Sequence, residues 1–298
     1  NQQKTADNIM NIVASEQMSR FPDPNSAEAI QRLPGISVQR DQGEGRYVVI
    51  RGTEPRLSNL TINGSQIPSP EGDVRYAALD VIPADQLAAL EVTKAITPEM
   101  DGESIGGTVN LVTKSALDYD KPVFNVTLAP GYNELMNDYN FQGAITYGHK
   151  FLKDENLGIM LSGSYYRTNR GSDNNEMSWG DEEFDGEDVK ILEELEIRDY
   201  EVVRDRLGLS GTVDYKLDDQ SLFYLRGTYN RYGDDENRRT QTWVFDDGDF
   251  DSPSDISGMS ANKELKDRYE VQDIYSIKAG GEHEFDKLGL DYSVSYSY

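Results

Sequence analysis

Three aspartates that alternate along an acidic stretch are the residues best placed to bind a metal ion. Asp247, Asp249 and Asp251 offer the carboxylate oxygens that Ca²⁺ prefers. The stretch is not an EF-hand loop, because the sixth and twelfth positions counted from Asp247 are Ser252 and Gly258 instead of glycine and glutamate. The pattern leaves two interpretations open, a Ca²⁺ site and a solvated acidic loop.

The composition excludes most other reactive chemistry. The chain has no cysteine, which excludes disulfides, Cys-ligated zinc, iron–sulfur clusters and thiol catalysis. Its two histidines, His149 and His283, fall at the ends of predicted strands, where we interpret them as structural. No Ser–His–Asp arrangement or phosphate-binding loop stands out. The sequence therefore predicts a protein that is not an enzyme and holds no cofactor other than Ca²⁺.

Two tryptophans could contribute to ligand binding. Trp179 and Trp243 are the only tryptophans, and both lie near carboxylates in long segments between predicted strands. An exposed tryptophan in such a setting can stack on a sugar, but it can equally pack one loop against another. The sequence leaves both roles open.

The charge balance narrows the classes of protein to which this chain can belong. The 298 residues include 29 Lys and Arg but 54 Asp and Glu, so the formal net charge is −25. This balance argues against nucleic-acid binding, since that affinity depends on basic side chains meeting phosphates. No stretch approaches the roughly 18 to 20 consecutive apolar residues of a transmembrane helix.

The first 118 residues predict a compact α+β region. Apolar spacing predicts a helix over 5–18, and the capping-box pair Asn25 and Glu28 predicts a second helix over 26–33. Pro83 opens a further short helical turn. Short strands with tight turns complete the region, at 36–39, 47–51, 59–62, 90–94 and 108–113, with turns at Asn63-Gly64 and Gly106-Gly107.

From Lys121 onward the sequence alternates strictly between apolar and polar residues. The stretch 288–298 is an example, with Leu, Tyr or Val at every second position. Because successive strand side chains point to opposite faces, each strand would have one apolar and one polar face. This period predicts seven strands, at 123–131, 139–149, 157–168, 200–216, 221–232, 269–285 and 288–298.

The connections between these strands differ in length in a regular way. Short connections alternate with long ones, which are predicted as loops at 169–199 and 233–268. An up-and-down order would gather the long loops at one end, as in outer-membrane barrels. The alternative is a soluble β-sandwich, but its strands are commonly about 5 to 6 residues long. The acidity is concentrated at these loops, since 169–205 holds 14 acidic and 4 basic residues.

Several motifs, in order, carry a resemblance to a known family. The opening "KTADNIMNIVASEQMSRFPDPNSAEAIQRLPGISVQRDQGEGRYVVIRG", the segment "LTINGSQIPS" and the closing "VIPADQLAALEVTKAITPEMDGESIGGTVNLVTKS" resemble the plug of TonB-dependent outer-membrane receptors. They are most similar to a proteobacterial subgroup often linked to carbohydrate uptake. The resemblance implies a plug at 1–118 and, at 119–298, about seven of an expected 22 transmembrane β-barrel strands.

The resemblance also implies a function, partners and a location. Such receptors sit in the bacterial outer membrane, with the plug in the barrel lumen and the long loops outside the cell. The TonB–ExbB–ExbD complex drives uptake of a nutrient ligand, here a carbohydrate or related plant- or algal-derived compound. Outer-membrane lipid would surround the barrel. The alternatives are a siderophore–iron receptor and a signalling receptor of the same fold.

The resemblance assigns roles to individual residues. Polar side chains at three outward plug apices and the two tryptophans would contact the ligand: Asp41, Gln42, Glu44, Glu71, Asp73, Tyr76, Asp101, Glu103, Trp179 and Trp243. At the apices the alternative is simple solvation of loops. Arg51 corresponds to a plug arginine that meets acidic residues on the barrel wall. The other motif positions would be structural, namely Gly52, Asn63, Gly64, Lys94, Gly106 and Gly107.

Overall fold

The N-terminal region, which we define as residues 9–118, is built on a five-stranded sheet. The computed structural model describes residues 9–18, 25–95, 97–98, 100 and 102–298. The strands of this region are β1 Met10–Ala14, β2 Ile36–Asp41, β3 Glu44–Ile50, β4 Ser58–Ile62, β5 Ser65–Gln66, β6 Leu87–Thr93 and β7 Gly107–Thr113. In the sheet the strand order is β1-β6-β7-β4-β5, with β4 parallel to β7 and the other pairs antiparallel. A separate hairpin is formed by β2 and β3.

Short helical segments pack around this sheet. Helix α1 spans Ser15–Met18 and α2 spans Ser26–Ile30. The side chain of Asn25 caps α2 by accepting a hydrogen bond from the Glu28 backbone N–H, which confirms the predicted helix start. Single 3₁₀ turns follow at Pro55–Leu57, Leu79–Val81, Ala84–Gln86 and Ala116–Asp118. Apolar side chains from the sheet, α2 and the 3₁₀ turns form one buried core.

The predicted helix over 5–18 is wrong where the structure describes it. Residues Met10–Ala14 form β1, which pairs antiparallel with β6, and only Ser15–Met18 is helical. Ile12 and Val13 lie at a helical spacing, but the free edge of β6 offers backbone partners along the whole segment. Tertiary pairing therefore overrides a weak local preference. The beginning of the predicted helix, 5–8, lies outside the described residues.

The second part of the chain forms one large antiparallel sheet. The strands are β8 Val123–Asn133, β9 Asp138–Phe151, β10 Leu157–Phe184, β11 Glu187–Asp218, β12 Ser221–Val244, β13 Asp249–Ser252, β14 Asp255–Ser257, β15 Ser260–Phe285 and β16 Leu288–Ser297. The strand order of the sheet, β16-β15-β12-β11-β10-β9-β8, is a meander of seven strands that confirms the predicted strand number and up-and-down order. The small pair β13–β14 lies at the tip of the β12–β15 connection.

The two faces of the large sheet have opposite chemistry. One face turns toward the N-terminal region and carries buried polar side chains such as Ser162, Thr212 and Thr228. We call it the inward face. The outward face carries exposed apolar side chains, among them Leu161, Leu209, Leu225, Ile277 and Val294. This arrangement is the alternation that the sequence predicts, and the fold class of an α+β region followed by antiparallel strands is confirmed.

The predicted loops at 169–199 and 233–268 are largely strand. Residues of β10 and β11 stay paired from Leu157 to the turn at Asp185-Gly186, and β12 and β15 stay paired out to Val244 and Ser260. The prediction of loops failed because these extensions are rich in charged residues and their apolar residues do not alternate strictly, as with Ile191 and Leu192 in succession, although the backbone ladder continues. No helix in the described ranges is long and apolar enough to cross a membrane.

Candidate functional site

A buried ionic cluster joins the N-terminal region to the inward face of the large sheet. The Glu44 carboxylate is almost fully buried, and its Oε2 accepts hydrogen bonds from Arg204 Nη1 at 2.8 Å and Arg206 Nη2 at 2.7 Å. Arg170 Nη2 lies 3.5 Å from the other oxygen of the Glu44 carboxylate. Arg204 Nε also donates to Asp234 at 2.7 Å. Each buried charge in the cluster thus has a partner of opposite sign, as a dry interior requires.

Local geometry explains why these side chains meet. Residues Gln42 and Gly43 both have positive φ, at 49° and 80°, and make the tight turn that presents Glu44 at the start of β3. Arg204 and Arg206 are two residues apart on β11, so both point to the inward face. Asp234 on β12 is the cross-strand neighbour of Arg204. The sheet register therefore places two guanidinium groups opposite one hairpin tip.

The cluster shifts the acidity of two carboxyl groups in opposite directions. Burial alone would raise the pKa of Glu44, but the Arg206, Arg170 and Arg204 guanidiniums outweigh burial and lower this pKa to about 2. For Asp80, burial is the dominant effect and raises the pKa to about 6. Arg206 Nε donates to the Asp80 backbone carbonyl at 2.7 Å, whereas the Asp80 side-chain Oδ1 has no hydrogen-bond partner. Asp80 therefore retains a proton to a much higher pH than Glu44.

Further hydrogen bonds fasten the N-terminal region to the inward face below this cluster. Lys278 Nζ donates to the carbonyl of Asn63 at 2.7 Å and so holds the Asn63-Gly64 turn. Pro83 lies close to Gly208, because a Cβ added at Gly208 would lie 2.9 Å from Pro83 Cγ. Three side-chain pairs complete the contact, namely Gln86 with Asn230, Asp85 with Tyr166 and Ser115 with Asp214.

A cavity of about 890 Å³ lies between the N-terminal region and the last strand, β16. Two of the predicted apices contribute to its lining, through Glu71 and Tyr76 from one and Glu103 from the other. Tyr47 donates a hydrogen bond from its hydroxyl to Glu71 at 2.7 Å, and its ring packs edge-on against Tyr76 with centroids 4.9 Å apart. The cavity thus combines aromatic surface with carboxylates, a combination that suits a hydroxyl-bearing ligand.

The first predicted apex, formed by Asp41, Gln42 and Glu44, is bound to neighbouring side chains. Asp41 pairs with Arg46 at 2.8 Å. Gln42 accepts a hydrogen bond from Arg204 Nη2 at 2.5 Å, and its own amide nitrogen lies 3.3 Å from Glu236. Glu44 lies in the buried ionic cluster, where solvent does not reach it. Ligand contact by residues of this apex stays a prediction.

The other predicted ligand residues are dispersed. Asp73 is exposed, and Asp101 lies outside the described residues. Trp179 is on β10 and Trp243 on β12, so both belong to the strand extensions instead of loops. Cross-strand register places Trp179 opposite Leu192 and Trp243 opposite Leu195. The two tryptophans therefore flank the same strand, β11, away from the cavity beside β16.

The predicted structural positions form turns and close contacts. Arg51 and Gly52 have positive φ, and so do Asn63 and Gly64. Arg51 is exposed and its Nη2 lies 3.3 Å from the Gly106 carbonyl oxygen, while its pairing with acidic residues of a barrel wall stays a prediction. The remaining contacts are Lys94 with the Pro34 carbonyl, Gly106 N–H with the Leu57 carbonyl at 2.7 Å, and Gly107 beside the Thr93 carbonyl.

The three candidate Ca²⁺ ligands do not converge. Asp247, Asp249 and Asp251 are exposed at the tip of the β12–β15 connection, and Asp247 accepts a hydrogen bond from Ser260. Within the described part of the chain, no group of three or more His, Cys, Asp or Glu side chains could hold a metal ion. A Ca²⁺ site at these aspartates would require this tip to rearrange.

Sequence reasoning missed the arginines of the ionic cluster. Arg204 and Arg206 lie in a predicted strand, and a signal was present, because Leu207 and Leu209 fix the outward face and leave both arginines inward. A long charged side chain on the inward face of a barrel could equally line a water-filled lumen. Only the structure shows that Glu44 reaches them.

Comparison with known proteins identifies the N-terminal region. Residues 2–108 match the family model described as TonB-dependent Receptor Plug Domain. We call this region the plug from here on. The match covers the segment that holds Glu44, Asp80 and the Asn63-Gly64 turn. Among curated proteins, no relative matched the sequence.

Solved structures of similar fold include iron-chelate receptors. The ferric preacinetobactin receptor BauA from Acinetobacter baumannii is 16% identical with a TM-score of 0.51, and the match covers 97% of this chain and 46% of BauA. The ferric citrate transporter FecA is 14% identical with a TM-score of 0.48 and 59% of its chain covered. A variant of the ferric enterobactin receptor PfeA from Pseudomonas aeruginosa is 13% identical with a TM-score of 0.48. The chain thus spans about half the length of BauA, and the likeness shows a shared fold.

Proposed function

We propose that this chain is the plug and part of the barrel of a receptor that imports a nutrient across the bacterial outer membrane. The observation that carries the proposal is the docking of the plug onto the polar inward face of a sheet whose outward face is apolar. A sheet with these two faces suits a lipid exterior and a filled lumen. The long strand extensions would then rise on the extracellular side, above the cavity.

Transport through a filled lumen requires energy to move the plug. The TonB–ExbB–ExbD complex is the proposed partner, because the family of the plug is defined by its dependence on TonB. The buried ionic cluster and the hydrogen bonds below it would hold the plug closed in the resting state. A pull on the plug would have to separate Glu44 from Arg204 and Arg206, which couples gating to the breaking of charged contacts.

The proposed ligand is a carbohydrate or a related hydroxyl-rich compound. The cavity beside β16 offers carboxylates, hydroxyls and aromatic surface to such a ligand, through Glu71, Ser295 and Tyr76. Binding there would use hydrogen bonds for specificity and ring contacts for affinity. This is the substrate class toward which the sequence resemblance leads.

A ferric siderophore is the second candidate, and a specific observation favours it. The inward face of the strand extensions carries basic residues above the plug, although the extensions as a whole are acidic. Arg198, Arg238 and Arg268 are partly exposed there, together with Arg170 and Lys266. Each of these cations already pairs with a carboxylate, so an anionic chelate would bind through the N–H donors that the carboxylates leave free. A signalling role of the same receptor would show as induction of transcription by the ligand.

Growth of a deletion strain on single nutrients tests the proposal. We expect a growth defect on one carbohydrate or one ferric chelate, an equal defect in a TonB-deficient strain, and rescue by the intact gene. A carbohydrate-specific defect selects the first candidate, and an iron-specific defect selects the second. Normal growth on every carbohydrate and iron source would contradict uptake of both classes.

A further inference from the structure

A seven-residue pattern occurs on two strands of the large sheet. Leu161–Arg167 reads LSGSYYR on β10, and 225–231 reads LRGTYNR on β12. Both follow the pattern Leu-x-Gly-Ser/Thr-Tyr-x-Arg. Strand alternation places the leucine, glycine, tyrosine and arginine of each copy on the outward face. The repeat is therefore a feature of the surface that faces away from the plug.

Each copy builds the same arrangement with an aspartate on the following strand. The Tyr165 hydroxyl donates to Asp205 Oδ1 at 2.7 Å, and Arg167 Nη1 lies 3.1 Å from Asp205 Oδ2. In the second copy, the Tyr229 hydroxyl donates to Asp273 Oδ1 at 2.7 Å, and Arg231 Nη1 lies 3.9 Å from the same oxygen. We call these two arrangements the Tyr–Asp–Arg triads. The tyrosine–aspartate hydrogen bond has the same length in both copies, while the arginine lies closer to the aspartate in the first.

An apolar groove lies beneath each triad. The first groove, of about 370 Å³, is lined by Gly143 and Gly163 with Leu128, Leu209 and the Tyr165 ring. The second, of about 350 Å³, has Gly211 and Gly227 at its floor, with Leu209 and Ile277 beside them. Glycines create these depressions because every other outward position nearby carries a large side chain. The tyrosine of each triad, Tyr165 or Tyr229, is part of the groove lining.

The arginine of each triad keeps donors for a further partner. The side chains of Arg167 and Arg231 are each half exposed. A guanidinium has five N–H donors in a planar fork, so a single carboxylate leaves several of them available. Asp205 orients the Arg167 guanidinium by a hydrogen bond, while Asp273 attracts Arg231 across 3.9 Å. Phosphate is the anion whose oxygens match this fork best.

We propose that the two grooves and their triads are binding sites for phosphate-bearing lipids of the outer leaflet. An acyl chain would lie in the groove, the tyrosine would sit at the level where hydrocarbon meets headgroup, and the arginine would hold the lipid phosphate. The proposal rests on the proposed function, since the outward face must lie in a membrane. The triads lie toward the long strand extensions, which places them in the outer leaflet.

Lipid retention by the full-length protein tests this proposal. Receptor purified from outer membranes would be exchanged into a neutral detergent, titrated with phosphatidylglycerol and analysed by native mass spectrometry. A diacyl glycolipid without phosphate serves as the comparison ligand. The test variant is Arg167→Gln/Arg231→Gln. The matched control is Arg239→Gln, since Arg239 is also outward and half exposed but lies beyond the triads and pairs with Asp199 and Glu201.

We expect phosphatidylglycerol to bind the double variant at least about tenfold more weakly, because a charge-assisted contact is lost. The Arg239→Gln control should bind this lipid as the unchanged protein does. A second variant, Gly227→Val, fills one groove and should weaken binding without removing charge. The space around Gly227 accepts a side chain, because the nearest atom to an added Cβ is 3.9 Å away.

Failure of this proposal and failure of the proposed function give different results. Equal binding of both lipids, equal loss in the Arg239→Gln control, or a second receptor copy occupying the face would overturn the lipid sites alone. Absence of the protein from the outer-membrane fraction would overturn the proposed function and the lipid sites together.

Discussion

At the scale of single residues, one carboxylate governs how the plug is held. Glu44 is the point where Arg204, Arg206 and Arg170 converge, all from the large sheet. Such a cluster is stable only when complete, because a buried charge without its partner costs far more than the pair contributes. Sequence reasoning placed Glu44 at an apex open to ligand, since hairpin position alone does not reveal which strand of the sheet will cover it.

Replacement of this carboxylate should weaken docking of the plug. We expect Glu44→Gln to lower the free energy of plug unfolding by about 3 to 5 kcal/mol, because Arg206 then stays buried without a counter-charge. The urea concentration that exposes plug amides to hydrogen exchange measures this loss. Asp41→Asn is the control, because its pair with Arg46 is partly exposed and should contribute about 1 kcal/mol or less. Equal losses would contradict the role of Glu44.

Asp80 gives the plug a pH dependence of opposite sign to Glu44. The pKa of Asp80 is raised to about 6 from an ordinary value of 3.8, so the folded state keeps a proton that the unfolded state releases. Stability should therefore fall as pH rises from about 4 to 7, by at most about 3 kcal/mol from this group. Glu44, whose pKa is lowered to about 2, stabilises the fold above pH 4.5 and loses this effect as pH falls toward 2.

The Asp80→Asn variant isolates the first of these effects. It should remove the decrease in plug stability between pH 4 and 7 and leave the loss at lower pH in place. Urea unfolding followed by hydrogen exchange at each pH measures both. If the stability of the Asp80→Asn plug still falls between pH 4 and 7 as in the unchanged protein, a group other than Asp80 causes the decrease.

At the scale of elements, alternation predicted which face of each strand is apolar better than where the strands end. The apolar residues of β16 and β15 identified the outward face of both strands, because apolar side chains avoid water. The extensions of β10–β11 and β12–β15 were not predicted, because their many charged residues interrupt the strict apolar alternation while the backbone pairing continues. The helix prediction at β1 failed for a different reason. The five residues of β1 fit the helical period as well as the strand period, and pairing with β6 makes the segment a strand.

The entry into β7 tests how tightly the plug sheet is built. Gly107 has φ of +139°, and a Cβ there would lie 2.6 Å from the Thr93 carbonyl oxygen. We expect Gly107→Ala to destabilise the plug by roughly 1 to 3 kcal/mol, as backbone strain of this kind does. Gly72→Ala is the control, because a Cβ at Gly72 has no neighbour within 4 Å. Thermal unfolding of both variants provides the comparison, and equal melting temperatures would contradict the close packing at Gly107.

At the scale of the whole molecule, the negative charge is concentrated on the strand extensions. The net charge of −25 belongs mainly to these extensions and their tips, where basic side chains pair with carboxylates of the neighbouring strand, as Arg238 does with Glu264 and Arg268 with Glu236. The sequence revealed the acidic segments but not these ion pairs, since pairing across strands depends on the register.

Disulfide formation between plug and sheet is the most direct test of the central claim, that the plug docks on the inward face of a membrane wall. The chain has no cysteine, so a crosslink in Pro83→Cys/Gly208→Cys would be unambiguous, and the close approach of these residues suits a disulfide. We predict efficient crosslinking in the outer-membrane fraction of intact cells, and none in Pro83→Cys/Gly289→Cys, whose second position lies on β16. A membrane-inserted protein in which the Pro83→Cys/Gly208→Cys pair stays unlinked, or in which both pairs crosslink equally, would contradict it.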